Sequence, residues 1–187
     1  MRNVVLNMSV SLDGYMEAPG RDISWHLVDE EVHRQVNAYL APAGGFLCGR
    51  HNYRLMEGYW PHADQDPDSD AVTREFAALW RDTPKVVYSR TLDEVGPNAT
   101  LVREVVPEEV RALKEQPGGP LFVGGAVLAE SFLRHGLVDE FHLYVNPVLV
   151  GGGRRLFPEL DSLRTGLTLV DTRTFSNGVV LLHHRKD

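Results

Sequence analysis

Leu121-Phe122-Val123-Gly124-Gly125-Ala126-Val127-Leu128-Ala129-Glu130-Ser131-Phe132-Leu133-Arg134-His135-Gly136 is the stretch whose reading decides the fold. Leu121 to Val123 is an unbroken apolar run, as expected for a strand buried on both faces. Gly124-Gly125 ends that strand, Ala126 to His135 reads as a helix, and Gly136 is its C-cap. A helix that starts at the end of a buried strand offers free N–H groups and a positive dipole end, a setting that suits a pyrophosphate.

The same alternation extends in both directions. Upstream, Val4 to Val10 reads as a strand ended by Ser11-Leu12-Asp13-Gly14, and Gly14 to Ser24 as a loop. Asp29 to Leu40 is a predicted helix, with acids in its first turn, Val32, Val36 and Leu40 at four-residue spacing, and Pro42 beyond it. Phe46 to Cys48 and Val86 to Tyr88 are short strands, separated by a surface loop from His62 to Asp70 and a helix from Ala71 to Arg81. Pro107 to Gln116 reads as a helix with Pro at its first position. Downstream, Phe141 to Val145 and Leu167 to Phe175 are strands, and Val179 to His184 pairs with the latter across Ser176-Asn177-Gly178, a hairpin signal. Strands alternating with helices, then a terminal hairpin, predict a mostly parallel sheet with an antiparallel edge.

The chain has 187 residues, a length that fits a single domain spanning 1–187. Nineteen Lys+Arg against 26 Asp+Glu give a formal charge of −7, with no basic run, which argues against a nucleic-acid partner. No stretch is long and apolar enough for a membrane span, and Met1 to Val10 lacks the apolar core of a secretory signal. The single cysteine, Cys48, excludes an internal disulfide. Together these lead to an expectation of a cytoplasmic protein without a membrane partner.

Three strand-end loops carry the chemistry: Gly49-Arg50-His51-Asn52-Tyr53, Ser89-Arg90-Thr91 and Gly124-Gly125-Ala126. An open α/β sheet binds ligands beyond the carboxyl ends of its strands, and Arg50 and Arg90 there could add charge-assisted phosphate bonds. From composition alone the three make a possible nucleotide site. No metal site is expected: there is no His-Glu-x-x-His, and His183-His184, adjacent on a strand, point to opposite faces. Cys48 reads as a core filler, and no Ser nucleophile elbow occurs.

Gly49-Arg50-His51-Asn52-Tyr53 resembles the Gly-Arg-x-Thr-Trp/Tyr motif of dihydrofolate reductases, with Asn52 in place of Thr. Gly136-Leu137-Val138-Asp139-Glu140, Pro147, Leu149, Gly151-Gly152-Gly153 and Leu156-Phe157 resemble the reductase domain of bacterial riboflavin-biosynthesis deaminase–reductases and their free-standing relatives. The resemblance implies a three-layer α/β/α sandwich of the dihydrofolate-reductase type, a homodimer, and NADPH as the cofactor of a reductase acting on a small polar heterocycle. It places Gly49, Arg50, His51 and Asn52 at the cofactor phosphates. Ser89, Arg90 and Thr91 fall near the adenosine 2′-phosphate, and Val123, Gly124, Gly125, Ala126, Val127 and Leu128 at the pyrophosphate. The matching glycine pair in dihydrofolate reductases is cis, so a cis Gly124–Gly125 bond is implied.

Departures concern the substrate side. Val123 stands where riboflavin reductases have Glu, and no Asn-Pro-x-Leu-x-x-Arg stretch lies between Tyr53 and Thr83. Trp25 and Glu30 keep the Trp-x-x-x-x-Asp/Glu spacing of dihydrofolate reductases, and Gly153-Arg154-Arg155-Leu156-Phe157-Pro158 replaces Gly-Asp-Thr-x-Phe-Pro. The resemblance thus implies Glu30 as a proton donor or substrate anchor, with Trp25 and Arg155 on the substrate side and Glu30 near Arg155. Asp13 either faces the cleft as a second acid or shapes its turn. A pterin or carbonyl reductase, and a non-catalytic nucleotide- or flavin-binding module, are the competing readings.

Overall fold

The computed structural model describes residues 1–157 and 165–187. Its central strand, β1 (Val4–Ser11), alternates its apolar side chains between two cores, so both faces of the sheet must be covered. β6 (Leu121–Gly124) and β7 (Glu140–Asn146) flank β1 and run parallel to it. Beyond β6 lie β3 (Gly45–Gly49), β4 (Lys85–Tyr88) and β5 (Ala99–Val102), again parallel. Beyond β7 the sheet turns antiparallel, with β10 (Val180–Lys186) and then β9 (Leu167–Thr174) at the edge. The eight-stranded order is β5-β4-β3-β6-β1-β7-β10-β9.

Helices α4 (Pro107–Glu115) and α5 (Ala126–Arg134) cover one face, where Val110, Leu128 and Phe132 pack with Val4, Leu6 and Leu121. Helices α1 (Glu30–Leu40), α2 (Arg50–Glu57) and α3 (Ala71–Asp82) cover the other. There Tyr53, Phe76 and Trp80 pack on Val5, Phe46 and Val87, while Val32 packs on Tyr144 and Leu181. The result is the three-layer sandwich with a terminal antiparallel hairpin. No helix among the described residues is long and apolar enough to cross a membrane.

Local chemistry sets the boundaries. Asp29 caps α1, its Oδ1 accepting from the Val32 N–H at 2.9 Å. Asn177 Oδ1 accepts from the Val179 N–H at 3.1 Å within the terminal turn. The stretch Gly14 to Ser24, read as a loop, contains β2 (Tyr15–Glu17), which pairs with the two-residue β8 (Arg154–Arg155). Pro158, the end of the motif that begins at Gly153, lies outside the described residues.

Asp13 is the pin of that region. Its carboxylate accepts from Ser11 Oγ at 2.6 Å, the Val150 N–H at 3.1 Å and the Gly151 N–H at 2.8 Å. The Ser11 hydroxyl first, then the Val150 N–H, hold its carboxyl down at about 2. Of the two sequence readings the turn-shaping one fits: a carboxylate with both oxygens engaged tethers β1 to the 150–151 loop.

Candidate functional site

β3 passes to β4 through α2 and α3 on one face, whereas β6 passes to β7 through α5 on the other. β3 and β6 are hydrogen-bonded neighbours, with Cys48 opposite Gly124. Chains leaving adjacent parallel strands toward opposite faces open a crevice at their carboxyl ends. A cleft of about 830 Å³ lies there.

Two helix N-termini meet at this crevice. Gly49 caps α2 and Gly125 caps α5, and neither end has a side-chain cap. The first N–H groups of both helices therefore lack the usual intramolecular acceptor, and both dipoles present their positive ends. Close approach needs the glycines. A Cβ on Gly124 would lie 2.5 Å from Asn52 Oδ1, and one on Gly125, at φ +98°, would lie 3.0 Å from Asn52 Cβ and 3.7 Å from Gly49 N. The expected cis bond is corrected: the described backbone has no cis peptide, and Gly124–Gly125 is trans. Positive φ at Gly125 makes the tight turn instead.

Side chains add further donors. Arg21 Nη1 approaches His51 Nδ1 at 2.8 Å, while Arg50 Nη2 approaches His51 Nε2 at 3.0 Å. Arg50 also donates to the Thr91 hydroxyl. Burial first, then the charges of Arg21, Arg50 and Arg54, keeps the His51 imidazole below its ordinary value. A neutral imidazole accepts at only one nitrogen, so two guanidinium groups facing both nitrogens leave one donor in surplus. Neither Arg21 nor Arg50 has a carboxylate partner among the described residues. An anion of phosphate type would supply the missing acceptors.

Most of the residues assigned to the cofactor line this cleft: Gly49, Arg50, His51, Asn52, Ser89, Arg90, Thr91, Gly125, Ala126, Val127 and Leu128. Val123 does not. Its side chain is buried in the α4/α5-side core at 2% exposure, because it continues the inward register of β6. Gly124 sits behind Asn52 rather than on the cleft wall.

The substrate-side assignments fare differently. Glu30 is at the start of α1, exposed and ion-paired with Arg34 one turn on. Arg155 is corrected with it: its guanidinium lies 4.7 Å from the Tyr15 ring and donates to the Asp13 carbonyl at 3.4 Å. β2–β8 pairing sets that position, since Tyr15 is the register partner of Arg155. The two residues belong to separate elements: Glu30 opens α1, which packs on the Tyr144 side, while Arg155 lies in β8, paired with β2. Trp25 is turned away too, its Nε1 donating to the Asp22 carbonyl at 3.2 Å. Asp13, Trp25, Glu30 and Arg155 are all absent from the cleft lining.

His26, next to Trp25, lines the cleft instead, with Met8, Met16, Glu17, Arg21 and Ile23. Burial lowers the His26 imidazole from its ordinary value, and its Nε2 lies 3.3 Å from the Met16 carbonyl. On the opposite wall, Arg103 donates to the Ser89 and Leu92 carbonyls at 3.2 and 2.6 Å, bracing the second loop. Sequence reading missed Met16, Glu17 and Arg103 because β2 and the strand before Arg103 are too short to show a period. Arg21 alone carried a signal, as a lone cation in a Gly/Pro-rich loop.

Residues 2–181 match the RibD C-terminal domain. The uncharacterized Bacillus subtilis (strain 168) protein YyaP is 35% identical over 98% of this chain and 95% of its own length. Among solved structures, a candidate riboflavin biosynthesis protein from Shewanella sp. PV-4 superposes with a TM-score of 0.74 at 22% identity, covering 100% of this chain and 99% of that one. A diaminohydroxyphosphoribosylaminopyrimidine deaminase/5-amino-6-(5-phosphoribosylamino)uracil reductase from Thermotoga maritima does so at 0.68 and 16% identity, over 100% of this chain and 57% of that one. With the sandwich, the switch-point cleft and a match of this extent, the chain belongs to the RibD C-terminal domain family, a reductase family of the riboflavin pathway.

Proposed function

We propose that the protein is an NADPH-dependent reductase that delivers hydride to a small polar heterocycle, similar to 5-amino-6-(5-phosphoribosylamino)uracil. The observation that carries this reading is the surplus of donors around His51, beside two uncapped helix N-termini. The residues present fit the group: glycines allow the backbone contact, and Arg50 and Thr91 lie within reach of one another along the wall. When bound, NADPH supplies the hydride, and a proton must reach the reduced substrate separately. The α2 and α5 N-termini, with Arg21 and Arg50, would hold the pyrophosphate. Ser89 to Thr91 would take the 2′-phosphate, and the apolar Met8, Met16 and Ile23 would exclude water from the reacting ring. His26 is a titratable group on that side able to hold a proton, at whichever nitrogen the Met16 carbonyl leaves free, whereas Glu17 there is ion-paired with Arg154 at 3.3 Å.

Cofactor titration tests the reading. NADPH is expected to bind more tightly than NADH, because among the described residues Arg90 pairs only with Glu104, at 3.8 Å, and both are well exposed. A charge-assisted bond contributes about 1.5–3 kcal/mol, or roughly tenfold to a hundredfold, so Arg90→Ala should narrow the preference by that factor. Glu30→Gln should leave both affinities and turnover unchanged, as expected for an exposed helical pair. Equal wild-type affinities would remove the 2′-phosphate assignment. Tight binding with no oxidation of NADPH by pyrimidine, pterin or carbonyl substrates would favour a non-catalytic module.

We also propose that two copies pair through β9. It is one of the two sheet edges, it is exposed along its length, and it carries Leu169 and Val170 at 54% and 45% exposure. Sedimentation should give twice the 20.9 kDa chain mass, and Leu169→Lys should give the monomer.

A further inference from the structure

We propose that Glu140, His142 and His183 form a binding site for a divalent transition-metal ion of the zinc type, at the end of the sheet opposite the nucleotide cleft. Glu140 and His142 alternate onto one face of β7, and the antiparallel register sets His183 of β10 directly across from His142. One atom from each of the three falls within 4.8 Å of the other two. All are buried, with exposures of 8%, 4% and 8%.

The carboxylate is divided between two tasks. Glu140 Oε1 accepts from Asn3 Nδ2 at 2.7 Å and from Arg185 Nε at 3.2 Å, which fixes the plane of the group. Oε2 is turned to the two imidazoles, 3.1 Å from His183 Nε2 and 3.8 Å from His142 Nε2. Donors around a tetrahedral zinc ion are about 3.3–3.5 Å apart, so small side-chain rotations would close the set. Outer groups that orient a ligating carboxylate in this way are a usual feature of metal sites.

A second observation points to a ligand. Neither nitrogen of His142 has a hydrogen-bond partner among the described residues, although its side chain is only 5% exposed. An ion-paired Glu140–His183 couple would explain two of the three residues and would leave His142 unexplained. Two imidazoles and one carboxylate suit zinc or cobalt better than magnesium or calcium, which take oxygen ligands. Spacing along the sequence could not show the site, because its ligands come from two strands more than forty residues apart in the chain.

The site lies near the start of β7, whereas the nucleotide cleft is at the carboxyl ends of the parallel strands. Its expected role is to clip β7 to β10, and zinc should raise the unfolding midpoint without changing cofactor affinity. Chelator-treated wild-type protein titrated with Zn²⁺ against a competing chromophoric chelator should bind one equivalent per chain. His142→Gln and His183→Gln should each weaken that binding about a hundredfold or more. Because a buried substitution can impair folding, Co²⁺ added to the wild type gives a variant-free reading. The large contact shifts of directly coordinated rings should fall on His142 and His183, while His184 and other neighbours show only smaller through-space shifts. Absence of stoichiometric zinc, persistence of binding in folded His142→Gln, or contact shifts on histidines other than His142 and His183 would each overturn the proposal. None of those outcomes bears on the NADPH reading, which is tested at the other end of the sheet.

Discussion

Phe132→Ala is expected to destabilise the protein by about 3–5 kcal/mol, the range for removing a large aromatic side chain from a core. Phe132 is fully buried on α5, between that helix and the sheet, in the cluster with Leu6, Leu121 and Leu128. Its ring also makes an edge contact with Tyr88, centroids 5.9 Å apart. Tyr88 precedes the Ser89–Thr91 loop, and burial has raised its hydroxyl to about 12, so the cavity would open beneath a wall of the cleft. For a chain of this length the unfolding midpoint should fall by about 2–4 °C per kcal/mol, hence roughly 6–20 °C. Leu149→Ala is the control: at 72% exposure it should shift stability by no more than about 0.5 kcal/mol. A Phe132→Ala midpoint within about 2 °C of wild type would mean that α5 is not anchored as described.

Phe132 also shows how far the sequence can be read. The run Leu121 to Gly136 has one interpretation at every level: apolar strand, glycine turn, amphipathic helix and glycine cap, and the structure follows it to within two residues. The terminal hairpin was equally plain, because Asn177-Gly178 is a local signal for a local contact. Elements that depend on distant partners gave no such signal. β8 has two residues and exists only because β2 lies beside it. β5 is a short edge strand whose side chains are only partly buried, so it lacks the apolar run that marked β4.

The site divides along the same line. Gly49, Arg50 and Gly125 line the cleft, and they are legible because glycine turns and adjacent cations are sequence-local features. Glu30 was assigned by spacing from Trp25. That spacing fixes position along the chain but not the face on which the helix lands, and α1 places Glu30 in solvent beside Arg34. Val123 was carried by its neighbours in the motif, although strand alternation turns its side chain inward. His26 and Arg21 enter the cleft through the β2–β8 pairing, a contact over more than 130 residues that no local pattern encodes.

The glycine pair gives the sharpest test of the cleft, because its two members should fail for different reasons. Gly125→Ala places a side chain at φ +98° and ψ 131°, a conformation that costs a non-glycine residue about 1–3 kcal/mol. Relief of that strain would rotate the α5 N-terminus away from the phosphate position, and NADPH affinity should fall about thirtyfold or more for a displacement that costs ~2 kcal/mol of contact. Gly124→Ala has no positive φ to violate. Its new Cβ instead meets Asn52 Oδ1 at 2.5 Å and Cγ at 3.2 Å, so its defect is a clash with the end of one side chain. Asn52→Ala removes those atoms and should restore most of the affinity lost in Gly124→Ala. It should not rescue Gly125→Ala, where the backbone strain remains and Asn52 Cβ still lies 3.0 Å away. Isothermal titration of NADPH into the two single variants and the two double variants, each checked for folding by circular dichroism, measures the contrast. Equal rescue of both would show that Asn52 crowding rather than backbone conformation shapes the turn. Wild-type affinity in Gly125→Ala would remove the α5 N-terminus from the phosphate site.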